Sequence, residues 1–253
     1  MSLNNKNVNL FIACFPKSGS SYLRTLLCNI TGFKRATPVQ FFGHNEQDLF
    51  EKKVKELYGK CSVAQQHVKG TNNNVRLFKK YKIKPIILVR NIFDIVLSLG
   101  DHIDKGGKRK VVTSNYVHEE YFSMSKEEKW MYLIKIALPW YFNFYVSWRK
   151  ASDKMDVLWL SYEELFSNQA DTVAKIFDFY DMPINRNEIN LAISKMGSKK
   201  QGWNHTKLNV GIAGRGVKLL PKSHIDAVYD LADVWKIDRE EMKLIGLGKA
   251  NDK

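Results

Sequence analysis

Cysteine is scarce in this 253-residue chain, and its three copies, Cys14, Cys28 and Cys61, stand far apart with neither a C-x-x-C pair nor a zinc-ligand spacing. A disulfide scaffold and a metal site are therefore not expected, and a reducing compartment suits the chain. Long apolar runs are also missing. Nothing reaches the roughly 18 residues that a membrane-spanning helix needs, and Met1 to Lys6 holds no apolar stretch of the secretory kind. The expectation is a cytoplasmic chain with no membrane span. Acidic residues are in short supply too, 26 against 40 Lys and Arg, which leaves a formal charge of +14. A surface of that sign favours nucleotides, sulfated or phosphorylated glycans, nucleic acid or acidic lipid, without choosing among them. There is no internal repeat and no G-x-x-x-x-G-K-[ST] phosphate loop, so a kinase or GTPase reading is weakened.

The length suits one α/β domain over residues 1–253, with 245–253 expected to be a frayed tail. Its most informative stretch is Phe11-Ile12-Ala13-Cys14-Phe15-Pro16-Lys17-Ser18-Gly19-Ser20-Ser21-Tyr22-Leu23. An apolar strand ends near Pro16; then Leu23, Leu26, Leu27 and Ile30 recur at helical spacing as far as Gly32, a C-cap candidate. Lys17 to Ser21 should therefore lie at a helix N-terminus. Free N–H groups and the helix dipole favour an anion there, and a lysine and three hydroxyls add to the cradle.

A second strand-to-helix corner follows. Pro85 to Val89 is a continuous apolar run of the parallel-strand kind, ending in Arg90-Asn91 before Asp94 to Leu99 turns helical. Ligands gather at the carboxyl ends of parallel strands, so Arg90 and Ser98 can converge on one anionic group beside the first loop. The planar arginine fork suits a terminal phosphate.

Phe15 to Leu23 closely resembles the 5′-phosphosulfate loop of sulfotransferases, [YF]-P-K-[SA]-G-[TS]-[TS]-[WY]-L. Arg90 to Ser98 is similar to the family's 3′-phosphate motif, R-[DN]-P-x-D-x-x-x-S, with Ile92 in place of proline. The two lie in the right order, about seventy residues apart. Val157 to Leu165 resembles V-L-x-L-x-Y-E-[DE]-L, and Asn209 to Lys218 resembles R-K-G-x-x-G-D-W-K through Gly211, Gly214 and Lys218. The resemblance implies a P-loop-nucleotide-kinase-like sulfotransferase fold, a central parallel sheet flanked by helices. It also implies 3′-phosphoadenosine 5′-phosphosulfate (PAPS) as donor, adenosine 3′,5′-bisphosphate (PAP) as product, and no metal. Carried over by position, Lys17 stabilises the leaving oxygen, Ser18, Gly19, Ser20 and Ser21 hold the 5′-phosphate, and Arg90 and Ser98 hold the 3′-phosphate. Tyr22 stacks on the base and Tyr162 contacts it. Asn209 and Val210 stand where the family has an arginine-lysine pair, so Gly214 with Arg215, or Lys207, is left to make that contact. His67, in Gln65-Gln66-His67, falls where the K-T-H segment carries its catalytic base, with Gln65 at the lysine position.

The expected acceptor is a small molecule or glycan. Residues 33–64 and 100–125, which hold Phe41, Phe42, Tyr116, Tyr121 and Phe122, are expected to set its identity. Flanking helices are expected over Glu127 to Arg149, where Pro139 should kink or split the helix, and over Ile225 to Trp235. Two rivals stand beside this reading: a nucleotide-kinase-like enzyme, which would need magnesium and an acidic ligand for it, and a non-catalytic basic binder of nucleic acid or acidic glycan. The binder leaves the motif spacing unexplained, so nucleic acid is the less expected partner.

Overall fold

The computed structural model of the chain describes residues 7–40, 48–106, 111–112, 115–198 and 213–248. Phe41, Phe42, Lys207 and Asn209 to Ile212 lie outside them. In chain order the elements are β1 (Asn9–Cys14), α1 (Ser20–Thr31), β2 (Lys34–Ala36), α2 (Glu51–Leu57), β3 (Ser62–Gln66), α3 (Asn72–Lys80), β4 (Pro85–Val89) and α4 (Ile92–Gly106). A short antiparallel pair, β5 (Val111–Val112) and β6 (Asn115–Tyr116), precedes α5 (Lys126–Ser152) and β7 (Leu158–Ser161). Then come α6 (Tyr162–Ser167), α7 (Gln169–Phe179), α8 (Arg186–Ser198), α9 (Arg215–Leu219) and α10 (Lys222–Asp233).

Five strands form one sheet in the order β2-β3-β1-β4-β7, every pairing parallel. A parallel sheet is covered on both faces, and β1 shows it: Leu10, Ile12 and Cys14 point into one core with α1, α7 and α8, while Phe11, Ala13 and Phe15 point into another with α3, α4, α5 and α10. From β1 the chain goes to the edge strand β2, returns to β3 between them, then crosses β1 to β4 and on to β7. The reversal at β1 opens a crevice at the strands' carboxyl ends. The fold is thus the expected α/β architecture, a central parallel sheet flanked by helices.

α5 starts at a capping box between Ser125 and Glu128 and runs unbroken for 27 residues through Pro139, so the expected split does not occur. A mid-helix proline costs about 3 kcal/mol. Burial of Leu138, Tyr141 and Phe142, none of them exposed, returns about 1.5 to 3 kcal/mol for each aliphatic or aromatic side chain and outweighs it. The same helix braces the crevice. Phe15 packs edge-on to Tyr141 and Phe144, with ring centroids 4.8 and 5.1 Å apart, and the Tyr141 hydroxyl donates to the Pro16 carbonyl at 3.3 Å. Below His67, the Trp148 indole donates to Val68 O at 2.9 Å, and Gly70 N donates to Ser147 Oγ at 2.9 Å.

The tail expectation is corrected at its start. Ile245 and Leu247 are fully buried, and a Cβ on Gly246 would lie 2.2 Å from the Asn91 amide, so 245–247 pack against the β4–α4 corner. Among the described residues no helix is long and apolar enough to cross a membrane.

The three cysteines are free thiols in very different surroundings. Burial pushes the Cys14 thiol up to about 11, so it stays protonated at neutral pH, whereas Cys61 is exposed. Iodoacetamide at pH 8 should therefore label Cys61 in the native protein and leave Cys14 untouched until denaturant is added. Mass spectrometry of the digests reads this directly, and rapid native labelling of Cys14 would show that β1 is not the sealed central strand.

Candidate active site

The crevice is built from four chain segments that meet at the carboxyl edge of the sheet. The loop after β1 is held in an unusual backbone shape: Lys17 has φ 69° and Gly19 φ 78°, both left-handed. Gly19 is the N-cap of α1, whose terminus has no side-chain cap and no acidic residue in its first turn. The N–H groups of that turn are thus left for an anion. A glycine suits the cap, because a Cβ there would be strained and would lie 3.0 Å from the Phe166 ring. The Ser18 hydroxyl donates inward to Phe15 O at 2.7 Å and closes the turn, so Ser18 shapes the loop rather than presenting its hydroxyl outward. Ser20 and Ser21 occupy the first two helical positions. The helix ends as the sequence indicates, at Gly32 with φ 72° and its N–H on Cys28 O.

Arg90 leaves the end of β4 into this loop, with 8 % of its surface exposed. It donates to Lys17 O at 3.1 Å, approaches Asp94 Oδ2 at 3.5 Å, and lies 4.0 Å above the Tyr162 ring. Its Nε is buried without a hydrogen-bond partner. A guanidinium held on three sides with an unused N–H is an anion site in waiting. Asn91 caps α4 by accepting from Phe93 N, while its own N–H donates to Glu163 Oε1 at 3.1 Å. Those two bonds fix the turn, with Ile92 as the first residue of α4. Burial, the dominant influence, raises the Glu163 carboxyl above its ordinary range.

Asp94 joins the C-terminal segment to this corner. Its carboxylate accepts from Gly214 N at 2.8 Å and Gly216 N at 2.6 Å and so caps α9 from a distance. Gly216 allows the approach, since a Cβ there would stand 2.2 Å from the Phe93 carbonyl carbon. Asp94, Ser98 and Asp101 share one face of α4 by their spacing, and Arg215 pairs with Asp101 at 3.8 Å. The structure thereby lays Gly214 and Arg215 along the helix face that carries Ser98, which is itself buried.

His67 follows β3, beside the end of β1. Its Nδ1 lies 2.9 Å from Cys14 O, an acceptor only, so in the neutral ring Nδ1 carries the proton and Nε2 the lone pair. Tyr22 is nearly buried, with its hydroxyl accepting from Gln169 Nε2 at 2.7 Å. Tyr22, Tyr162 and Phe166 form one aromatic group beside Gly19, with Phe166 centroids 5.3 Å from Tyr22 and 4.4 Å from Tyr162. Burial raises both tyrosine hydroxyls above their usual range. Phe166 and the linking role of Asp94 escaped the sequence reading. The available signals were spacings: Phe166 is four residues from Tyr162, and Asp94 four from Arg90. Tyr121, expected near the acceptor, is wholly buried, while Tyr116 is exposed. Among the described residues no group of three or more His, Cys, Asp or Glu side chains could hold a metal ion.

A protein-family model described as the sulfotransferase domain matches residues 8–209. Human sulfotransferase 2A1 is 24% identical over 225 residues, covering 86% of this chain and 76% of that protein. Among solved structures, mouse sulfotransferase SULT7A1 complexed with PAP superposes with a TM-score of 0.70 at 18% identity, covering 96% of this chain and 90% of the other. Retinol dehydratase in complex with retinol and PAP superposes with a TM-score of 0.58 at 15% identity, covering 98% and 85%.

The Asp94 linkage has measurable consequences. Asp94→Ala leaves the buried Gly216 N–H without an acceptor and the buried Arg90 guanidinium without its carboxylate, and should lower unfolding stability by about 3 to 5 kcal/mol. Gly216→Ala should release α9, seen as faster amide exchange over 214–219 with a smaller loss of global stability. Urea titrations with exchange mass spectrometry test both. Wild-type stability in Asp94→Ala would show that the carboxylate holds nothing in place.

Proposed function

The chain belongs to the sulfotransferase domain family, and we propose that it transfers a sulfuryl group from PAPS to a hydroxyl or amine of a small-molecule or glycan acceptor, releasing PAP. The observation that carries this reading is the meeting of two anion sites at one sheet edge: the bare N-terminus of α1, and the buried Arg90 guanidinium with its unpartnered Nε. A donor with two separate phosphates asks for that pair. PAP is bound in the mouse sulfotransferase and retinol dehydratase structures that share the fold, which supports the same nucleotide here.

In this reading the N–H groups of Gly19, Ser20 and Ser21 hold the 5′-phosphate. Arg90, Ser98 and the Gly214-Arg215 turn surround the 3′-phosphate, and the Tyr22, Tyr162 and Phe166 rings flank the base. His67 Nε2 takes the proton from the acceptor as the new O–S or N–S bond forms. The bond from sulfur to the 5′-phosphate oxygen breaks in line, and Lys17 offsets the charge left on that oxygen. As in phosphoryl transfer, the protein supplies alignment and a positive field. Lysine and helix dipole fill the part that magnesium plays in kinases.

Calorimetric titration without magnesium should show PAP binding at least tenfold tighter than adenosine 5′-monophosphate. Equal affinities would reject a donor site built for two phosphates. Lys17→Ala should abolish labelled sulfate transfer, with the fold intact by circular dichroism. His67→Ala should lower turnover by two to four orders of magnitude, the usual range for a general base, and leave PAP affinity near wild type. Lost PAP binding with normal turnover of the bound fraction would remove His67 from that role.

A further inference from the structure

Among the described residues Arg24 has no acidic partner. It lies in α1, three residues after Ser21, partly buried; one guanidinium nitrogen donates to Gln65 Oε1 at 3.1 Å, and its Nε is sealed from solvent with no acceptor. The charge that reaches it is that of Arg35; its titratable neighbours Cys14 and Cys28 are thiols that burial keeps protonated, and no carboxylate is among its neighbours. Arg35 stands on β2, in register with Val63, so Arg35, Val63 and Gln65 share the α1 face of the sheet. Arg35 donates to Thr25 Oγ1 at 3.2 Å and, among the described residues, also has no acidic partner.

Burial imposes a desolvation penalty on Arg24, and the Arg35 guanidinium beside it adds repulsion; both effects weaken its hold on its proton. A shared oxyanion would relieve them together, because each fork can donate two parallel hydrogen bonds. Position decides whose oxyanion it is. The sites assigned to the donor lie at the β1 loop and on its β4 side, whereas Arg24 and Arg35 lie on the opposite, β3–β2 side. They are linked to the proton acceptor there: Gln65 is two residues before His67, its Nε2 contacts Cys14 Sγ at 3.5 Å, and Cys14 O holds His67.

We infer that Arg24 and Arg35 form an acceptor subsite for an oxyanion, a carboxylate, sulfate or phosphate group carried by the molecule that receives the sulfuryl group. The inference rests on the sulfuryl-transfer reading and narrows its acceptor to an acidic one.

Inorganic sulfate is the probe, titrated calorimetrically into PAP-saturated wild-type, Arg24→Gln and Arg35→Gln proteins. The wild type should bind one sulfate, Arg24→Gln should weaken it at least tenfold and Arg35→Gln several-fold, with PAP affinity within twofold throughout. Exposed Arg35 decides the matter if Arg24→Gln does not fold. Equal sulfate affinity in all three proteins, or no sulfate binding to wild type, overturns the subsite. A loss of PAP affinity in Arg24→Gln assigns that residue to the donor and overturns it too. Failure of wild type to bind PAP at all would instead strike the donor reading, and the sulfate comparison would then be made on the free protein.

Discussion

A buried guanidinium facing a buried carboxylate is the constraint on which this site depends. Arg90 and Asp94, with 9% and 1% of their side-chain surface exposed, cannot stay in the interior unless their hydrogen-bonding capacity is met. Their ion pair is long, 3.5 Å, so other groups complete it. Lys17 O and the Tyr162 ring serve the cation, and Gly214 N and Gly216 N serve the anion. Those four groups come from three different stretches of chain. The requirement to satisfy two charges thus brings the β1 loop, the start of α6 and α9 to one place, and the unpartnered Nε of Arg90 is what the arrangement leaves over.

Rigidity for that corner comes from the apolar layers. β1 is sealed on both faces, and α5 grips the loop after β1 through Tyr141 and Phe144 and the loop after β3 through Trp148 and Ser147. Lys17 and His67 are therefore borne by loops with short lever arms from a packed helix, which suits a reaction whose rate depends on alignment. The left-handed backbone at Lys17 is held by the same surroundings, the usual situation of local strain at a functional site.

Several elements were legible because their signals are local. The apolar runs of β1 and β4, the helical periodicity of α1 up to Gly32, and the stripe Trp130, Leu133, Ile134 and Ala137 on α5 all describe burial that a short window can register. β3 gave no such signal: Gln65 and Gln66 are polar, yet both are buried between neighbouring strands. Pro139, for the converse reason, does not split α5, since a local penalty was overridden by side chains packed from distant elements. The tail misled in the same way, because Ile245 and Leu247 are buried by partners far away in sequence.

The two phosphate-loop patterns, their order and their spacing were set in the linear chain, because an anion cradle needs a run of adjacent N–H groups and short polar side chains at one strand-to-helix turn. Which groups meet across segments was settled only on folding. Asp94 reaches Gly214 and Gly216 over 120 and 122 residues, and Gln65 reaches Arg24 over 41. Contacts of that separation arise from strand order and layer packing, which place the ends of β1, β3 and β4 side by side. No window of sequence holds that information, and so the contacts that join the proposed site residues came from the tertiary structure.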